Sequence, residues 1–156
     1  MLIRLITIFL ILLLNSCVTH PYPIKPDRSM SPGRLCTVDD RHFDHFRYHE
    51  NIPYCRRAVS SSLRRDIYDS YGIPEETRHE YTIDHIIPLS IGGSNHPENL
   101  WPEHQKVKNT RPNLEFCVYI YMRNDELTQR DALDIIMRAK YNEYPLPDHP
   151  CVDQLP

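Results

Sequence analysis

The chain is poor in glycine, with 4 in 156 residues against 14 prolines. That excludes glycine-rich phosphate cradles and collagen-like repeats. It also lacks a surplus of either charge: 18 Lys and Arg stand against 21 Asp and Glu, a formal charge of -3. A nucleic-acid coat held by a global positive field is therefore excluded, and any polyanion must meet a local basic patch. The 5 cysteines contain no Cys-x-x-Cys pair, which argues against a zinc ribbon. What is present is a hydrophobic content of 40%, enough for a compact core and against wholesale disorder. The length sets an expectation of one domain.

The first segment reads as an address. Arg4 supplies a positive n-region, and Leu5 to Leu14 is an apolar run broken only by Thr7. The run is too short to cross ~30 Å of hydrocarbon as a helix and fits a signal-peptide core. Leu14-Asn15-Ser16-Cys17 resembles a bacterial lipobox. The resemblance implies a signal peptide over 1–16, lipid on Cys17, and a membrane anchor at the cell envelope; an ordinary signal peptide cut nearby is the alternative. Cys36, Cys55, Cys117 and Cys151 remain. An even set in an exported chain reads as two disulfides, with three pairings open and free buried thiols as the alternative. The preferred pairing is Cys36–Cys55 with Cys117–Cys151, each closing a loop at one edge of the domain.

Residues 17–35 carry Pro21, Pro23, Pro26 and Pro32, the composition of an extended tether. A domain over 36–151 and a tail over 152–156 follow. Arg57 to Tyr71 reads as a helix, with Val59, Leu63 and Ile67 as its apolar stripe and Gly72 and Pro74 as stops. Glu80 to Ile83 suits a strand. Residues 91–95 form a turn or loop, and Asn99 to Trp101 a second strand. Glu103 to Asn109 starts a helix, with Pro102 at its first turn. Leu114, Cys117, Val118 and Tyr121 share one helical face. Thr128 and Asp131 resemble a capping box opening a helix whose stripe is Ala132, Ile135, Ile136 and Ala139.

The chemistry concentrates in Asp84-His-Ile-Ile-Pro88-Leu89, Gly92-Gly93-Ser-Asn95 and Asn99-Leu-Trp-Pro102. In that order and at that spacing these motifs resemble the HNH endonucleases. The strong likeness covers about 30 residues, and the layout resembles small exported bacterial HNH proteins. The resemblance implies an α+β domain with a ββα-metal hairpin-plus-helix core, flanking helices and disulfide support. It assigns His85 as general base, Asp84 as metal ligand, and Asn99 as the residue that holds the hairpin and orients His85. The residue types suit phosphodiester hydrolysis. A neutral histidine takes a proton from water, and a hard cation held by a carboxylate neutralises the leaving oxygen. Neighbours on a strand point to opposite faces, so Asp84 and His85 converge only where the strand breaks, before Pro88.

The third motif position departs from the family pattern. A His or Asn is expected about nine residues after Asn99, where this chain has Lys108-Asn109. Asn109 is the favoured ligand and His104 the alternative; five residues apart, they sit about 140° apart around a helix and would not share one ion. The expected ion is Mg²⁺, with Mn²⁺, Zn²⁺ or Ni²⁺ as alternatives. Lys106, Lys108 and Arg111 form the expected phosphate-contacting patch. Arg56, Arg57, Arg64 and Arg65 read as a solvated surface cluster. His42, His45 and His49 could align as ligands on a helix but read as surface histidines, and Trp101 reads as core. The expectation is a metal-dependent endonuclease of little sequence preference acting on nucleic acid, DNA foremost. Two alternatives stay open. One is a catalytically degenerate nucleic-acid-binding lipoprotein; the other is a disulfide-rich protein with structural zinc.

Overall fold

The computed structural model describes residues 21–156. Residues 1–16 and Cys17, on which the expectations of export and lipidation fall, lie outside them. Helix and strand are mixed, in two small antiparallel sheets. The first pairs β1 (Phe43–Arg47) with β2 (Ile52–Cys55). After helix α1 (Ser61–Ser70), β3 (Tyr81–His85) pairs with β4 (Leu100–His104). There follow the short α2 (Gln105–Lys108), then α3 (Leu114–Arg123), α4 (Gln129–Tyr141) and α5 (Pro150–Asp153). No helix among the described residues is long and apolar enough to cross a membrane.

The β3–β4 register decides what each side chain meets. Tyr81 faces His104, Ile83 faces Pro102 and His85 faces Leu100; between them Thr82 faces Glu103 and Asp84 faces Trp101. Cross-strand partners share a face and neighbours alternate. One face therefore carries Tyr81, Ile83 and Leu100 and packs on Ile67 and Tyr68 of α1. The other carries Trp101, which packs with Val107 of α2 and Tyr141 of α4. Trp101 is fully buried, as its place in Asn-Leu-Trp-Pro predicts. The largest core joins α3 and α4 through Leu114, Val118, Met122, Ile135 and Ile136, closed over by Ile52, Ile87 and Ile91.

Helix α1 begins four residues later than its apolar stripe predicts. Ser60 caps it, its hydroxyl accepting from Leu63 N–H at 3.1 Å. The residues before it are held elsewhere: Ala58 N–H donates to Asn95 Oδ1 at 3.0 Å. The start of the expected 103–109 helix moves as well, because pairing with Thr82 and Tyr81 keeps Glu103 and His104 in β4. The β1–β2 hairpin was not foreseen. It carries His45 on a strand and His42 and His49 just beyond its ends, so the three do not align on a helix. The segment read as a tether has no regular structure from residue 21 to 34, as its prolines require, yet it packs on the domain. Ser31 is buried, its hydroxyl donating to Leu100 O at 2.7 Å and accepting from Tyr71.

Two disulfides join Cys36 to Cys55 and Cys117 to Cys151, the preferred pairing. The first ties the entry segment to the end of β2, and the second ties α3 to α5. Cys36, Cys55 and Asp40 lie together, but both sulfurs are spent on each other and offer no thiolate to a metal.

Candidate functional site

The loop between β3 and β4 is built around two residues. Gly93 has no room for a side chain: a Cβ there would lie 1.8 Å from Ile87 O. Asn99 is fully buried and uses its whole amide on backbone. Its Nδ2 donates to Ile87 O at 2.9 Å and Ser94 O at 2.8 Å, and its Oδ1 accepts from Ile87 N–H at 2.9 Å and Arg34 N–H at 3.2 Å. Asn99 thus holds the hairpin, as the motif implies. Among the described residues none of its side-chain hydrogen bonds goes to the His85 ring.

Asn95 and Arg57 hold that ring. His85 Nε2 lies 3.2 Å from Asn95 Oδ1, and Nδ1 lies 3.1 Å from Arg57 Nη2. A guanidinium only donates, so Nδ1 carries the lone pair and Nε2 carries the proton that Asn95 accepts. Asn95 is itself anchored by Ala58 N–H and by its own donation to Arg56 O at 2.8 Å. Burial first, and then the charge of Arg57, lower the His85 pKa to about 4 despite the Asn95 bond. His85 is therefore a buried neutral imidazole covered by an exposed arginine. Asn95 in turn lines a cleft of about 540 Å³, with Asp40, Arg41, His42, Ser60 and His96.

Asp84 points to the opposite face and belongs to a different cluster. Lys140 of α4 sets its ammonium 3.0 Å from Asp84 Oδ2, 2.6 Å from His85 O and 2.6 Å from Glu115 Oε1. Lys108 Nζ lies 3.7 Å from both Asp84 Oδ1 and Glu103 Oε2, and Arg111 bonds Glu103 on its other oxygen. Burial opposes ionisation of Asp84, but Lys140, a hydrogen bond with Glu103 and then Lys108 hold its carboxyl well below the usual range. Burial pushes Glu103 up to about 7 against the pull of Lys140, and the Asp84 charge pushes the same way. Burial disfavours the charge on Lys140, yet Glu115, Asp84 and Glu103 keep it protonated and raise its pKa. No family model, curated protein or solved structure matches the chain.

The structure brings neither expected third ligand to Asp84. His104 lies on the α1 face, its Nε2 2.9 Å from Glu80 Oε2 and its ring stacked on Tyr22 at 3.9 Å. Asn109 ends α2 with an exposed side chain, and no hydrogen bond joins it to Asp84 among the described residues. Of the expected phosphate patch, Lys108 and Arg111 turn inward onto acids, while Lys106 stays exposed near the Tyr22 ring. Arg57, read as surface solvation, is the arginine that reaches the histidine. A divalent ion does not fit Asp84 as the site is built. Hard cations sit at 2.0–2.6 Å from oxygen ligands; on Oδ2 such an ion would crowd the Lys140 ammonium, and on Oδ1 it would face Lys108. Glu103, Glu115 and Lys140 lie outside the motif that points to Asp84 and His85. Only Lys140 left a signal in the sequence, as a lysine four residues after Ile136 on the core stripe of α4.

Proposed function

We propose that the chain hydrolyses phosphodiester bonds of nucleic acid as an endonuclease of the HNH type, with His85 as general base. What carries the reading is the buried neutral His85 at the end of β3, its proton fixed on Nε2 by Asn95 and its lone pair met by the exposed Arg57. An incoming phosphate is a better partner for that guanidinium than an imidazole is, because charge-assisted bidentate pairs are the stronger ones. Arg57 then turns to the phosphate, and Nδ1 is free to take a proton from water. The water oxygen bonds to phosphorus, the bond to the 3′-oxygen breaks, and the leaving oxygen takes a proton from solvent. A 5′-phosphate and a 3′-hydroxyl result. Arg41, in the cleft that Asn95 lines, offers a cation to a phosphate backbone beside Asp40. DNA is the expected substrate, and the signal-like first segment supports a site of action at the cell envelope on a lipid anchor.

A second reading, a protein that binds nucleic acid without cutting it, is favoured by the closure of Asp84 by Lys140. One assay separates the two. Residues 18–156 are incubated with single-stranded and plasmid DNA and with RNA, in Mg²⁺ and in EDTA, beside H85A. Cleavage by the wild type that falls ~10²–10⁴-fold in a folded H85A protein is expected. Binding without cleavage by the wild type selects the second reading, and near-normal turnover by H85A removes His85 from the role.

A further inference from the structure

We propose that Lys140 is the resident cation of this site: its ammonium occupies the position beside Asp84 where a nuclease of this type would hold a divalent metal, and Asp84 takes none. The inference builds on the proposed phosphodiester chemistry but concerns the chain's own residues. Lys140 Nζ has three protons to donate, and three oxygens receive them: Asp84 Oδ2 at 3.0 Å, His85 O at 2.6 Å and Glu115 Oε1 at 2.6 Å. Two carboxylates and a backbone carbonyl make the oxygen set that a hard cation seeks. Here that set converges on an ammonium whose side chain is only 3% exposed.

The neighbourhood has no surplus of negative charge even with every acid ionised: Asp84, Glu103 and Glu115 face Lys140, Lys108 and Arg111, three acids against three bases. Adding a doubly charged ion would leave an excess of positive charge among buried groups, which low-dielectric surroundings penalise. To enter, the ion would have to expel Lys140, which comes from a packed helix, or Lys108, which is half exposed at 52%. Lys140, Lys108 and Arg111 line the same cavity, about 230 Å³, together with the acids Glu103 and Glu115 that they pair with.

The anchoring is specific to position 140. Ala132, Ile136 and Lys140 lie on one face of α4, and the first two are fully buried. The helix that closes the core therefore delivers the ammonium to the back of β3. Because one of its bonds goes to His85 O, the same cation joins the Asp84 cluster to the strand end that carries the histidine.

Mn²⁺ binding to the full mature chain, read from the electron paramagnetic resonance signal of the free ion, tests this directly. The wild type is expected to bind no stoichiometric Mn²⁺. K140Q removes the charge, leaves the oxygens in place, and is expected to bind at least about tenfold more tightly than wild type, since one nearby positive charge is gone. K140R keeps the charge and is expected to bind as poorly as wild type. One Mn²⁺ per wild-type chain, lost in D84N, overturns the proposal, and its further loss in E103Q would place the metal where Lys108 now lies. A folded K140Q protein that binds no better than wild type also overturns it. If K140Q does not fold, the wild-type titration still decides. Cleavage supplies a separate arm: similar rates in Mg²⁺ and EDTA support a metal-free site, and a loss of about 100-fold in EDTA refutes it. Absence of any cleavage would defeat the endonuclease reading while leaving the Mn²⁺ result to stand alone.

Discussion

His85 and Glu103 should make the pH dependence of stability run in opposite directions, and single substitutions should expose each. Burial lowers His85 from 6.5 to about 4. The unfolded chain therefore binds a proton across that window that the folded chain refuses. The stability contributed by the neutral ring is complete above 6.5 and is lost as pH falls through about 4. Its size follows from the separation of the two values, about 3 kcal/mol as an upper figure. Glu103 behaves oppositely. Burial raises it from 4.5 to about 7, so the folded state holds the extra proton. Its contribution is present below 4.5 and is lost as pH rises through about 7. Asp84, held low, begins to lose its contribution as pH falls toward its ordinary value of 3.8, so at the acid end of this window it adds to the fall that His85 produces.

In the wild type the two slopes largely cancel. E103Q mimics the protonated acid at all pH values and leaves the histidine alone, so its stability should fall by about 3 kcal/mol from the upper to the lower end of the window. H85Q leaves the glutamate, and its stability should rise over the same acidification. Urea unfolding at both ends of the window gives the numbers. The single tryptophan, Trp101, is fully buried across from Asp84 and reports on the hairpin itself. An E103Q protein whose stability is flat or rises on acidification would show that His85 is not held neutral by its surroundings. His85 would then lose its place as the base.

Arg57→Ala should leave the fold intact, because the side chain is exposed, while the His85 ring titration seen by NMR moves up from about 4 toward 6.5; an unmoved titration would remove Arg57 from the site. The same variant should lose cleavage through weaker phosphate capture, seen as a rise in KM. Replacing Cys117 and Cys151 by serine opens a loop of 34 residues and should cost about 4 kcal/mol on a chain-entropy basis, read as a lower Tm; an unchanged melt would show that α5 adds nothing to the fold.

The parts of the fold legible in the sequence are those with local signals. The α4 stripe at 132, 135, 136 and 139 is buried in full, and Thr128 caps the helix by accepting from Asp131 N–H. The β3 strand and the Asn99 loop follow from the motif and its glycines. The β1–β2 hairpin was illegible because its strands, Phe-Asp-His-Phe-Arg and Ile-Pro-Tyr-Cys, do not alternate, and its turn uses Tyr48 and Asn51 at positive φ in place of glycine. What fixes that hairpin in place includes a disulfide to Cys36, a long-range bond with no periodicity.

The site was legible along the strand and hidden across it. Asp84 and His85 stand side by side in sequence, so a search at helical or strand spacing finds them together, yet alternation sends them to opposite faces. Each then meets partners that only tertiary structure selects. His85 meets Arg57, 28 residues earlier, and Asp84 meets Lys140, 56 residues later. A motif search for a third ligand looks about nine residues past Asn99 and finds Asn109 and His104, because it assumes the charge on Asp84 must be met from the adjoining helix. The core stripe of α4 meets it instead. A lysine in step with buried alanine and isoleucine cannot remain there unpaired, since an isolated buried ammonium is strongly disfavoured. Its presence therefore demands a buried carboxylate elsewhere in the chain. Asp84, the buried acid of β3, is the residue that satisfies the demand.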